Sequence, residues 1–195
     1  MKYLLASSNK HKYQELIALL PSVTLELAEG LEDVNENAKT FLGNALIKAE
    51  AAYRQFHMPV IADDSGLCVS ALGGAPGVFT ARYGSDVLHR LLDSSERNAY
   101  LLKNMQGITD RSASFVCCIV AYISPYRIYT VSEEVKGSIA EKPIGAGGFG
   151  YDPVFVLDDI GKAMAQLTEE EKGQHSHRGK AARAMNTLLA TLEEN

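Results

Sequence analysis

Two alternating apolar runs stand back to back in the second half of the chain, and they constrain its fold more than any other feature. SASFVCCIVAYIS (112–124) and YRIYTVSEEVKGSIA (126–140) are rich in β-branched and aromatic residues, with Pro125 between them. Such runs on either side of a turn residue predict an antiparallel strand pair. A sheet of that length needs cover on its faces, and stretches of helical period supply it. YQELIALL (13–20) aligns Tyr13, Leu16, Ile17 and Leu20, and TFLGNALIKAEAAYRQF (40–56) aligns Phe41, Ala45, Ala49 and Ala52. A last helix opening at SHRGKA (176–181) buries Ala181, Met185, Leu188, Leu189 and Leu192. Shorter strands are expected at YLLA (3–6), TLELAE (24–29), PVIA (59–62), CVSAL (68–72) and VFVL (154–157), and helical segments at 87–92 and 96–105. The stretches 73–86 and 145–153 are rich in glycine and read as loops. The fold class is α/β, with a mixed central sheet flanked by helices.

A chain of 195 residues is expected to be one domain, 1–195, with a core that needs no staples. Nineteen Lys and Arg against 24 Asp and Glu leave a net charge of −5, which argues against a partner that is a nucleic-acid polymer or a membrane surface. Any positive site must then be local. Cys68, Cys117 and Cys118 form no C-x-x-C pair and read as free thiols of a reducing compartment. The uncharged run FVCCIVAYI (115–123) is about half of what a spanning helix needs. With no signal-peptide pattern at the start, a cytoplasmic location is expected.

The local positive charge is oddly placed. SSNKHK (7–12) puts Lys10, His11 and Lys12 in the first turn of a helix capped by Ser8 or Asn9. A helix N-terminus is itself positive and prefers acidic neighbours. SHRGK (176–180) repeats the pattern with His177, Arg178 and Lys180. Two cationic helix starts in an acidic protein point to a common anion, such as a bound phosphate; the plain alternative is that these side chains simply face solvent. ADDSG (62–66) ends an apolar strand with two adjacent carboxylates, which point to opposite sides of the chain. One suits a hard cation such as Mg²⁺, while the other caps the following turn; the alternative is an Asx-turn in which both cap backbone groups. GAGGFG (145–150) spells G-x-G-x-x-G but opens no helix, so the dinucleotide reading fails. Its glycines instead let the backbone approach a ligand, with Phe149 and Tyr151 offering faces for a base to stack on. GQHSHRGK (173–180) has one residue too many for a P-loop and no hydroxyl after Lys180. His57, His89 and His175 carry no spacing signal.

Taken in order, S-x-N-x-x-K, TFxxNAxxKA, ADDSGLxVxALxGxPGVxxARY, GFGYDPxF and SHRGKA resemble the inosine triphosphate pyrophosphatase family, also called dITP/XTP pyrophosphatases, over about residues 2–190. The resemblance implies an elongated two-lobed α/β domain with a central cleft, acting as a homodimer. The implied reaction is Mg²⁺-dependent hydrolysis of ITP, dITP and XTP to the monophosphate and pyrophosphate, which cleanses the nucleotide pool. It also implies site residues. Ser7, Asn9 and Lys12, in a turn with Ser8, Lys10 and His11, would bind the triphosphate, as would Lys48 and, less directly, Arg82. Asp64 would be the catalytic, metal-holding carboxylate, with Ser65 beside the substrate. Phe149, Gly150, Tyr151 and Asp152 would bind the base, and Lys172, His177 and Arg178 would read its far edge. Donors there favour the 6-oxo group of hypoxanthine and xanthine, since adenine would leave buried donors unpaired at about 1–3 kcal/mol each.

The chain departs from the family pattern in two places. A metal-binding glutamate is replaced by Asn35, leaving Glu36 or the Asn35 amide as the second metal ligand, and Gly43 stands where a glutamate often precedes the NA pair. Two rival functions remain: a sister pyrophosphatase for modified pyrimidine triphosphates, which GFGYD opposes, and a nucleotide sensor without turnover, which the intact ADDSG opposes.

Overall fold

The computed structural model describes residues 1–7 and 9–193. Ser8, expected both as a cap and as a phosphate ligand, lies outside the described residues. The elements run β1 (Lys2–Leu5), α1 (Lys10–Leu19), β2 (Thr24–Leu27), α2 (Phe41–Phe56), β3 (Val60–Val69), α3 (Ser94–Asn104), β4 (Ser112–Ser124), β5 (Arg127–Ile139), β6 (Phe155–Leu157), α4 (Glu169–His175) and α5 (His177–Glu193). Among the described residues, six strands form one sheet in the order β2-β1-β3-β4-β5-β6. β1 runs parallel to β2 and β3, and β6 runs antiparallel to β5. A two-residue link makes β4 and β5 antiparallel. The mixed sheet is therefore as expected, and the bounds of β4 and β5 fall within a residue of the alternating runs.

The chain divides into two compact units, Met1–Ser65, Cys117–Glu133 and His177–Asn195 making the first, and Gly66–Val116 and Glu134–Ser176 the second. In the first unit the sheet carries a core on each face. One joins Leu16 of α1 and Ala181, Ala182, Met185 and Leu189 of α5 to Ile61, Cys117, Ile119 and Ala121. The other joins Ala45, Ala49 and Ala52 of α2 to Val60, Ala62, Val120 and Tyr122. The period of two along β3 and β4 sorts each residue to its face. From residue 60 to residue 65 of β3 the odd positions look toward α1 and α5, and the even positions toward α2. The second unit packs Leu101 and Met105 around Phe115, Ile139, Tyr151, Phe155 and Met164.

Local chemistry sets the helix starts. The Asn9 side chain accepts from the N–H groups of His11 (3.0 Å) and Lys12 (3.3 Å), an N-cap that satisfies two orphan donors. Thr40 caps α2 by accepting from Gly43 N at 3.0 Å, and His57 ends it in the left-handed region at φ 53°.

Several expectations fail for visible reasons. The helix expected at 87–92 is a series of turns; Gly84 (φ 80°) and His89 (φ 52°) break any helix, and Leu88 and Leu91 stay exposed. Ile17 is exposed although it shares the spacing of Leu16 and Leu20. The expected break at ADDSG is absent, because β3 runs unbroken from Val60 to Val69. Both aspartates therefore sit within a strand, and neither caps a turn. The region 73–86 is not all loop, since Gly77–Arg82 form a 3₁₀ turn. The sequence reading missed α4, although Thr168 and Glu171 form a capping box at its start.

Candidate active site

The alternation along β3 sends Asp63 and Asp64 to opposite faces, and each meets a different set of partners. Asp63 is fully buried. Its Oδ2 lies 2.9 Å from Lys12 Nζ, in the first turn of α1, and 3.4 Å from Arg178 Nε, in the first turn of α5. Burial works against a charge here, but Lys12, Arg178 and Lys48 together outweigh it and hold the carboxyl well below its ordinary range. The two cationic helix starts thus share an anion that the chain itself supplies. This corrects the reading that an external ligand is required to explain them.

Arg178 is the centre of that network. Its Nη1 donates to Glu15 Oε2 at 2.6 Å and its Nη2 to Ser65 Oγ at 2.8 Å. Burial lowers its proton affinity, yet Asp63 and Glu15 raise it further still, so the guanidinium stays charged. Each of its nitrogens is engaged inside the first unit. Expected as a reader of the base, Arg178 here orients Ser65, whose oxygen accepts from it and whose own O–H remains to donate. His177, next to it, is buried.

On the other face, Asp64 meets α2. Asn44 and Lys48 are one helical turn apart and point the same way. Asn44 Nδ2 donates to Asp64 Oδ2 at 3.2 Å, and Lys48 Nζ lies 3.5 Å from Asp64 Oδ1. The same ammonium is 3.1 Å from Glu36 Oε2. Asn44 Oδ1 also accepts from Ala38 N at 2.9 Å, which ties the strand carboxylate to the loop that carries Glu36. Desolvation raises the proton affinity of Asp64; Lys48, Lys12 and Asn44 offset this in part, and the Glu36 charge adds to it, so the net shift is upward. Lys48 is itself pushed upward, since Asp63, Asp64 and Glu36 outweigh the cost of its burial. Two carboxylates converging on one cation form a hard oxygen donor set, which fits a divalent ion held by one or two carboxylates plus phosphate oxygens. Asn35 is exposed, whereas Glu36 already stands beside Asp64's partner. Gly43 has a steric reason: a Cβ there would come within 2.7 Å of Ala38 Cβ.

Of the remaining expected residues in the first unit, Lys10 and His11 are exposed on the first turn of α1, and Ser7 Oγ accepts from Asn9 N at 3.2 Å. In the second unit Phe149, Asp152 and Lys172 come together. Asp152 Oδ2 accepts from Phe149 N (2.9 Å) and from Lys172 Nζ (3.0 Å), and that ammonium lies 4.8 Å from the centre of the Phe149 ring, within cation–π range. Tyr151 differs from its expected role. It is 3% exposed, packed in the core with its O–H donating to Thr80 O at 3.0 Å, so its ring offers no face for stacking. Arg82 is outside this group and lies over the Phe79 ring at 5.0 Å. Asn44, Glu15 and Asp63 were missed as site residues. Alternation along ADDSG and the four-residue step from Asn44 to Lys48 were the signals available.

The sequence matches the Ham1 family model over residues 3–188. It is 48% identical to the dITP/XTP pyrophosphatase of Treponema denticola, covering 97% of this chain and 98% of that one. It is 44% identical to the Thermus thermophilus protein of the same name, over 95% and 90% of the two chains. The HAM1 protein structure from Coxiella burnetii superposes with a TM-score of 0.90 at 35% identity, covering 98% of this chain and 99% of that one. The Staphylococcus aureus Ham1 protein gives 0.87 at 36%, over 97% and 98%. With a buried carboxylate pair on the central strand and a match along almost its whole length, the chain belongs to the Ham1 family.

Proposed function

We infer that this protein hydrolyses non-standard purine nucleoside triphosphates (ITP, dITP and XTP) to the monophosphate and pyrophosphate. What carries the reading is the Asp64–Lys48–Glu36 cluster, found in a chain 48% identical to a dITP/XTP pyrophosphatase. Water attacks the α-phosphorus in line, the bond to the bridging oxygen breaks, and pyrophosphate leaves. Asp64 takes the proton of the attacking water. Lys48 stabilises the charge that develops on the α-phosphate oxygens. Asp64 and Glu36 would hold Mg²⁺, which when bound neutralises and orients phosphate oxygens. Lys12 spends one of its three donors on Asp63 and keeps the others for the triphosphate. The start of α1, with Ser7, Asn9, Lys10 and His11, extends that anion site.

Phe149 stacks on the base. Lys172, steadied by Asp152, donates to the 6-oxo group. ATP presents an amine where that ammonium needs an acceptor, and is turned away. The enzyme works as a homodimer in the cytoplasm, on the free nucleotide pool. The exposed Phe79, Val87, Leu88 and Leu91 support an interface with a second copy, which sedimentation analysis tests.

The functional test is incubation with Mg²⁺ and equal ITP, XTP, ATP and GTP, followed by product identification. Monophosphate plus pyrophosphate from ITP and XTP, with ATP and GTP spared, is the expected result. Release of orthophosphate and a diphosphate would show attack at the γ-phosphorus and overturn it, and binding without turnover would make the protein a sensor.

A further inference from the structure

We infer that Asn98 is a positioning residue for the base, acting through the backbone beside Phe149; this rests on the functional reading above. Asn98 lies on α3, whose start is fixed by a reciprocal cap between Asp93 and Glu96. It is 4% exposed, and its Nδ2 donates to the carbonyl oxygen of Gly150 at 3.0 Å across 52 residues of sequence. A carbonyl only accepts, so this partner decides which end of the amide faces it. The other end, Oδ1, is buried without a hydrogen-bond partner among the described residues. An unmatched buried acceptor carries a desolvation cost that an apolar side chain of similar size avoids. Packing alone therefore favours leucine at position 98. What asparagine supplies and leucine does not is the single bond to Gly150.

That bond falls on a glycine in the left-handed region. Gly150 sits at φ +61°, and, its chain neighbours apart, no atom of the described residues lies within 4 Å of where its Cβ would be. Its neighbours are tied on either side, Phe149 by its N–H to Asp152 and Tyr151 by its hydroxyl to Thr80. The Gly150 carbonyl between them is tied by Asn98. With that peptide plane pinned, the chain leaving Phe149 keeps one course, and its ring one orientation toward the base. Loss of the bond weakens substrate binding without touching the groups that move the proton.

The test compares Asn98→Leu and Asn98→Asp in the full chain with Mg²⁺ and ITP. Turnover of ITP by the unaltered protein is measured first; its absence would sink the functional reading and, with it, this inference. Given turnover, a normal leucine variant would sink only this inference. The expected leucine variant melts at or above the original temperature, with KM for ITP raised about tenfold and kcat within about twofold, the pattern of lost uniform binding. Asn98→Asp keeps the shape but sets oxygen against oxygen at neutral pH, so its KM rises at least as much. Protonation restores a donor, and its KM relative to the unaltered protein falls toward one as the pH is lowered, while the leucine ratio stays flat. An unchanged KM in the leucine variant overturns the inference, as does a loss of kcat and melting temperature with KM unmoved. Should the leucine variant fail to fold, a ratio for Asn98→Asp that does not change with pH overturns it alone.

Discussion

Asp63 and Asp64 are the same side chain in adjacent positions, yet their proton affinities move in opposite directions. Burial disfavours the charge on both. Asp63, the more deeply buried, is the more firmly ionised, because two cations meet it, at 2.9 and 3.4 Å. Asp64 has one ammonium at 3.5 Å, and that ammonium is shared with Glu36. Partners, more than depth, decide the charge state. The two faces of β3 differ accordingly: one face holds helix starts to the sheet, and the other carries a carboxylate whose proton affinity is raised.

The sharpest way to break this division is to neutralise each carboxylate separately. Asp64→Asn should lower kcat by about 10³-fold while the melting temperature holds or rises, since a costly charge is removed. Steady-state kinetics and a thermal melt on one sample check both. Asp63→Asn should do the reverse, leaving Lys12 without its anion and Arg178 with Glu15 alone. A loss of about 3 kcal/mol is expected, read as a fall in melting temperature of roughly 6–12 °C for a chain of this size. Similar losses of kcat and stability in both variants would end the contrast.

Lys48→Met tests the coupling across one face. It should cost about 10²-fold in kcat/KM and move the acid limb of the kcat/KM profile to higher pH, since Asp64 loses its nearest cation. An acid limb that stays in place would show that another group sets it.

The pH dependence of stability carries opposite signs at the two sites. Asp63 stays ionised in the fold where the unfolded chain takes up a proton. Its contribution is present above the ordinary value of 3.8 and is lost as the pH falls toward the depressed folded value. Asp64 is the reverse, its contribution present below 3.8 and lost as the pH rises through the elevated folded value. Urea titrations from about pH 4 down to pH 2 should therefore show a shallower acid loss in Asp63→Asn than in the original chain. The smallest effect is expected from Glu36→Gln, which should raise the Mg²⁺ concentration for half-maximal rate about tenfold with saturated kcat little changed. A metal titration measures it, and an unchanged requirement would pass the second ligand to Asn35.

The elements that the sequence shows most clearly are those whose burial is one-sided and apolar. β4 and β5 alternate over their full length, and α1 announces its start through Asn9. The continuation of β3 is hidden because Asp63, Asp64 and Ser65, directly after Ala62, are charged and polar, and their partners on α1, α2 and α5 are distant in sequence. Periodicity assigned Asp63 and Asp64 to opposite sides but carried no information about which cations waited there. The motifs pointed to Phe149 and Tyr151 alike, and only packing separates a half-buried ring from one anchored in the core. Gly84 and His89 show the converse failure, where helical spacing at 87–92 was undone by backbone conformation.

The alanines of α2 have a consequence beyond packing. Ala45, Ala49 and Ala52 are fully buried against the sheet, and because they are small they set how near the helix axis lies to β3. Asn44 and Lys48, fixed on the same rod, inherit that spacing. The stripe therefore works as a gauge block for the chemistry. A valine at position 49 adds no charge and touches neither carboxylate, yet it would lift an ammonium from its mark, and a displacement of about 1 Å can cost a hundredfold in rate. Catalytic fitness in this chain is thus written partly in its smallest side chains, where a search for reactive groups would not look.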